Sequence, residues 1–194
     1  MSISLILASA SPRRTALLDQ MGLSHRQFPV DIDESPLADE SPEAMVMRLA
    51  EQKAATAWQR LSAAGETDMV VLASDTLIAF NGKPLGKPAD REDCFTMLRS
   101  LSDNEHEVLT AISVKDDQGS KTQCICTKVQ FAPVSDDDIA AYWDTGEPAD
   151  KAGSYAIQGI GGQFVKSVSG SVSSVIGLPL YETRCLLKEF GISK

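Results

Sequence analysis

Two hydroxyls and two guanidinium groups fall within Ser9-Ala10-Ser11-Pro12-Arg13-Arg14, directly after the apolar run Leu5-Ile6-Leu7-Ala8. Ser11 is an N-capping type and Pro12 suits a first helical position. The stretch therefore predicts a strand feeding a helix that runs through Thr15-Ala16-Leu17-Leu18 towards Gly22. A helix start presents unpaired N–H groups and a partial positive charge. With two arginines beside it, the composition is that of an oxyanion site, with phosphate as the first ligand to consider. The plainer reading is capping and solubility alone. Two lysines bear on the choice. Lys53 falls within the apolar stripe of a helix opened by Ser41-Pro42 and reaching about Leu61, where an ammonium must either reach out to water or face an anion. Lys87, between Gly86 and Pro88, is a loop lysine or a phosphate contact with little entropy left to lose.

Carboxylates supply the complementary chemistry. The β-branched, apolar run Met69-Val70-Val71-Leu72-Ala73 predicts a central strand ending at Ser74-Asp75-Thr76, followed by a second strand, Leu77 to Phe80, before a turn at Asn81-Gly82. A carboxylate beside a core is costly unless paired, hydrogen-bonded or metal-bound, so Asp75 is the first candidate for a catalytic acid or base. The alternative is an aspartate that only ties down the next turn. Asp31, Asp33 and Glu34 crowd a proline-punctuated loop, either as solvated surface or as ligands for a hard cation such as Mg²⁺, which takes one or two carboxylates plus water and phosphate oxygens.

The elements that must position these groups alternate between strand and helix. A short strand is expected at His25–Val30, a helix from Ala89-Asp90 to about Leu101, and a hairpin over 106–131 turning at Asp116–Gly119. Ser135 and three aspartates open a helix over Ile139–Trp143, and strands at Phe164–Val168 and Val172–Ile176 lead to a last helix ending near Phe190. The glycines of 153–162 imply close backbone approaches but lack the spacing and context of a dinucleotide fingerprint.

Composition narrows the partners. With 18 basic against 27 acidic side chains the formal charge is −9, which argues against a nucleic-acid polymer or an anionic membrane as ligand. The opening Met1–Ala8 lacks a basic leader and is too short for a signal peptide or a span, so a cytosolic setting is expected. Cys94, Cys124, Cys126 and Cys185 do not form a zinc or disulfide pattern, and Cys124 with Cys126 reads as a pair of small core residues on one strand face. His25 and His106 lack ligand-like neighbours and read as structural or surface residues.

Eight stretches together resemble the Maf (septum-formation-like) family of nucleoside triphosphate pyrophosphatases. They are Leu7–Arg14, Asp33-Glu34, Leu49–Ala54, Ala73–Thr76, Gly86-Lys87-Pro88, Asp150–Gly153, Tyr155–Gly159 and Gly177-Leu178-Pro179, in the family's order. The resemblance implies one domain over 1–194, an α/β fold in which an elongated mixed β-sheet with flanking helices forms two lobes around a deep cleft, as in the inosine triphosphate pyrophosphatases. It further implies a cytoplasmic, commonly homodimeric enzyme that uses Mg²⁺ or Mn²⁺ to split a nucleoside triphosphate into monophosphate and pyrophosphate, cleaning nucleotide pools with a link to cell-division arrest. The branch active on dTTP and UTP is distinguished at positions that fall on Arg13, Thr76 and Gln158. The branch acting on 7-methyl-GTP carries tryptophan and glutamine where this chain has Pro12 and Thr76, which favours the pyrimidine branch. Ala156 replaces a frequent family glycine.

On that resemblance Ser9, Arg13, Arg14, Lys53 and Lys87 hold the triphosphate, Glu34 and Asp75 bind the metal, Asp75 also orients or deprotonates the attacking water, and Gln158 reads the base through an amide that both donates and accepts. Two rivals share the phosphate ligands. One is a nucleotide-sensing regulator of cell division, which has no need to gather carboxylates beside a polyanion. The other is a pyrophosphatase for another modified nucleotide.

Overall fold

The computed structural model describes residues 3–193. One mixed sheet runs through it, built from β1 (Ser4–Leu7), β2 (Arg26–Gln27), β3 (Met69–Phe80), β4 (Lys83–Leu85), β5 (Glu105–Lys115), β6 (Ser120–Phe131) and β7 (Val165–Ser169). The order is β2-β1-β3-β5-β6-β7, with β4 as an extra partner of β3. β1 pairs in parallel with β2 and β3, and all other pairs are antiparallel. The helices are α1 (Pro12–Gln20), α2 (Pro42–Ala63), α3 (Arg91–Leu101), α4 (Asp136–Asp144), α5 (Val172–Ile176) and α6 (Leu180–Glu189). Among the described residues no helix is long and apolar enough to cross a membrane.

Helix α2 covers one face of the sheet. Its buried Val46, Leu49, Ala50, Ala54, Ala57 and Leu61 form one stripe, from which Val46, Ala50, Ala54, Ala57 and Leu61 meet Val71, Ala73, Leu77, Leu109 and Ala111. The even-numbered residues of β3 and β5 face the other way, and there the helices split into two groups. Leu17 and Leu18 of α1 with Leu186 and Leu187 of α6 pack on Leu5, Leu7, Val70 and Leu72. At the far end Cys94, Phe95 and Leu98 of α3 and Ile139 and Tyr142 of α4 enclose Phe131, Tyr155 and Phe164. Two packed lobes thus share one sheet, with a cleft between them on the face opposite α2.

Five sequence expectations change. Met69–Phe80 is one unbroken strand, so Asp75 lies in mid-strand. Pairing with β5 runs from Val71 to Ala79 and carries the backbone straight through Ser74-Asp75-Thr76. Val172–Ile176 is helical because Ser171 caps it through the Ser174 N–H and Gly177, at φ +128°, ends it. The expected strand at His25–Val30 shrinks to two residues against β1. Cys124 is half-buried and Cys126 exposed, since α2 covers the face they share only near Cys124. Ser11, the expected cap of α1, makes no side-chain cap; its own N–H donates instead to Ser9 Oγ at 3.1 Å.

His106 lies inside the second lobe, edge-on to Phe131 and Tyr155, with Nε2 2.8 Å from the Tyr155 hydroxyl and Nδ1 without a partner. Burial pushes its pKa down to about 4, only partly opposed by Glu105. The unfolded chain takes up this proton near pH 6.5 and the folded chain only near 4, so stability is full above 6.5 and is lost as pH falls through that window. The loss should approach about 3 kcal/mol at pH 4. Urea unfolding midpoints between pH 7 and 4 check this, with a shallower slope expected for His106→Asn.

Candidate active site

The site is organised by a breach in the sheet. On one edge β3 pairs with β1 only up to Leu72 and with β4 only from Ile78, which leaves 73–77 without a partner strand on that side. Local chemistry produces the gap from both ends. After Ala8 the chain turns at Ser9 and meets Pro12, which has no N–H to extend a ladder and starts α1 instead. Beyond β3, Asn81 (φ +51°) and Gly82 (φ +74°) make a two-residue hairpin turn, and the returning β4 stops at Leu85, short of the gap.

Arg14 spans the breach. Its Nε donates to the Gly177 carbonyl at 2.9 Å, Nη1 to Ser9 Oγ at 3.1 Å and Nη2 to Thr76 Oγ1 at 3.4 Å. Burial lowers its pKa and the Asp75 carboxylate works against that, which places the carboxylate's field at the guanidinium. Arg14 is therefore first a strap joining α1, β3 and the α5 end, with N–H groups left over for a ligand. Thr76 is tied into the same network through Thr110 Oγ1 at 3.0 Å, and Thr110 in turn donates to the Ser174 carbonyl at 2.8 Å.

Asp75 and Thr76, adjacent in sequence, emerge on opposite faces of β3. On the α2 side Lys53 Nζ donates to Asp75 Oδ1 at 2.6 Å and pairs with Glu34 Oε1 at 2.6 Å. The lysine that breaks the stripe of α2 therefore meets two carboxylates of its own chain. Asp75 and Lys53 are largely enclosed, with side chains 12% and 13% exposed, whereas Glu34 is 59% exposed. The loop bearing Glu34 is held by Arg48, which forks onto Glu40 at 2.6 and 2.7 Å and donates to the Ser35 carbonyl at 3.1 Å.

On the other face lies a cleft of about 240 Å³ with Thr76, Ile78 and Val108 in its floor. Ser11, Arg13, Arg14 and Gly177 line one wall; Lys87, Asp150, Lys151, Tyr155, Ile157 and Gln158 line the other. The Gly153 N–H donates to the Gly86 carbonyl at 2.9 Å, so the Lys87 loop and the Asp150–Gly153 turn form a single wall. The structure thus brings Arg13, Arg14, Thr76, Lys87 and Gln158 to one cleft and gathers Asp75, Lys53 and Glu34 on the opposite face, with Ser9 joined to the cleft group through Arg14.

A family model described as "Maf-like protein" matches residues 4–190. The chain belongs to the Maf-like protein family. It is 50% identical over 190 residues to a protein of Colwellia psychrerythraea named dTTP/UTP pyrophosphatase, covering 98% of this chain and 90% of that protein. It is 48% identical over 190 residues to one of the same name from Pseudoalteromonas translucida, covering 98% of each. Among solved structures, the Staphylococcus aureus Ham1 protein matches with a TM-score of 0.47 at 16% identity, over 66% of this chain and 72% of that one.

Within this Maf-like chain, three cleft contributors lie in stretches that carry the family resemblance but had no role assigned from the sequence. Lys151 faces the cleft beside Asp150, with which it is paired. The Gly177 carbonyl accepts from both Arg14 Nε and Ser74 Oγ, each at 2.9 Å. Tyr155 supplies a wall. The first had a signal in the Asp-Lys-Ala-Gly run; a carbonyl's role leaves none in sequence.

Proposed function

We propose that this chain is a nucleoside triphosphate pyrophosphatase, acting as one domain, that hydrolyses dTTP and UTP to the monophosphate and pyrophosphate. The observation that carries this reading is the breach at 73–77, which has a cationic turn and an amide-bearing wall at the cleft on one face and an enclosed carboxylate on the other. The names of the relatives support the substrate class. In this reading Arg13, Arg14, Lys87 and Ser9 grip the triphosphate and offset charge developing on the departing pyrophosphate, while Lys53 holds Asp75 in a fixed orientation. Asp75 accepts a proton from the water that attacks the α-phosphorus. Gln158, with Thr76 across the cleft, presents donor and acceptor to the edge of uracil or thymine, and Ile157 and Tyr155 line the space beside it.

The donor set suits a divalent cation shared with the substrate. Asp75 Oδ1 and Glu34 Oε1 meet on the Lys53 ammonium, so the second oxygen of each carboxylate is the one that would take a cation, and among the described residues no group of three His, Cys, Asp or Glu forms an all-protein cage. Two carboxylates completed by phosphate oxygens and water match Mg²⁺ or Mn²⁺. Such an ion supplies charge neutralisation on the phosphates and acidifies bound water. The same reading takes the enzyme to be a cytoplasmic homodimer, as the resemblance implies.

Pyrophosphate release should be fastest with dTTP and UTP in a panel that includes dCTP, the purine nucleotides and 7-methyl-GTP, and chelation of divalent metal should abolish it. A preference for 7-methyl-GTP, or tight nucleotide binding without release, would sink the proposal.

A further inference from the structure

The glycine-rich turn after Gln158 looks like a phosphate cradle, but the protein already fills it with a carboxylate of its own. Glu147 follows Gly146 at the end of α4. Its Oε2 accepts the Ile160 N–H at 2.8 Å, and its Oε1 accepts the Gly161 N–H at 3.0 Å and the Tyr142 hydroxyl at 2.7 Å. Two consecutive N–H groups aimed at one anion form the nest by which turns hold phosphate. Burial disfavours the charge on Glu147, yet these donors outweigh it and hold the carboxyl below its usual range.

This socket explains the glycines. A Cβ at Gly159 would overlap the Glu147 carboxylate, and one at Gly161 would lie 2.5 Å from the Tyr142 oxygen. The turn is closed on its other side by the Gly159 N–H donating to the Ala156 carbonyl at 3.1 Å, with Gln158 exposed between them at the cleft. Tyr155, at the start of the segment, is anchored by His106.

We propose that Glu147 is a positioning residue for nucleotide choice: its carboxylate locks the turn that carries Gln158, so that the amide meets the base with its backbone already ordered. The inference rests on the pyrophosphatase reading and on Gln158 as the reader of the base. In Glu147→Gln an amide NH₂ replaces one acceptor and opposes a donor, so at least one anchor is lost.

The test is kcat and KM for dTTP, dCTP and dGTP in Glu147→Gln, Gln158→Ala and the double variant, beside their thermal midpoints. Glu147→Gln should raise KM for dTTP about tenfold with a smaller change in kcat, and lower the preference for dTTP over the other two by a similar factor. In the Gln158→Ala background the same substitution should leave the preference unchanged, because nothing remains to be positioned. A merely structural role would lower the midpoint and slow all three substrates alike. An unchanged preference in Glu147→Gln, or an equal loss in both backgrounds, overturns the proposal. If Gln158→Ala alone leaves the preference intact, the base-reading role falls and this proposal with it, while dTTP hydrolysis by the parent enzyme still upholds the pyrophosphatase reading. Should Glu147→Gln fail to fold, Tyr142→Phe removes one donor and keeps both N–H contacts; it should shift the preference in the same direction by less, and no shift overturns the inference.

Discussion

Asp75→Asn should release pyrophosphate from dTTP roughly a thousandfold more slowly than the parent enzyme, with KM changed far less. The carboxylate sits in mid-strand, 12% exposed, with Lys53 as its hydrogen-bond donor. Asparagine keeps the size and one acceptor oxygen, so Lys53 retains a partner and the strand keeps its pairing with β5. What disappears is the negative charge and the ability to take a proton from water. Rates from pyrophosphate release, with unfolding midpoints as the control for folding, check the outcome. A variant within tenfold of the parent would remove Asp75 from the chemistry.

Lys53→Met should cost both stability and rate, and the two losses should separate. Methionine preserves the apolar stem on α2 but leaves Asp75, which stays largely enclosed, and Glu34 facing each other without a cation. Removing one partner of an enclosed pair costs 3–5 kcal/mol when burial is complete; with Glu34 open to solvent, about 2 kcal/mol is expected. At this chain length that lowers the thermal midpoint by about 6 °C. Activity should fall about a hundredfold, as the carboxylate loses its fixed orientation. Adding Asp75→Asn to Lys53→Met should restore much of the stability, because the uncompensated charge is gone, and none of the activity. A double variant less stable than Lys53→Met would show that the pair is not what the lysine serves.

How much of this was legible in the sequence follows from the range of the interactions. The strand-turn-helix at Leu5 to Leu18, the stripe of α2 and the Asn81-Gly82 turn are local, and the structure places them where the residue pattern does. Ser74-Asp75-Thr76 reads as a strand end because polar residues normally stop a buried strand. Here the strand continues, since those residues border a gap in the sheet rather than its core. Valines and isoleucine make 172–176 look extended, but two end caps and five residues suffice for a short helix. Lys53 was marked as anomalous by its place in an apolar stripe, yet which charges it meets depends on a loop about twenty residues upstream and a strand about twenty downstream. Glu147 carried no mark, because two of its three partners are backbone N–H groups, which every residue except proline possesses.

Attack of water on the α-phosphorus of dTTP, the step proposed for this site, is read out by a single turnover in ¹⁸O-labelled water with mass analysis of both products. One labelled oxygen is expected in thymidine monophosphate, with the pyrophosphate unlabelled. Label in the pyrophosphate, or orthophosphate as the labelled product, would contradict it.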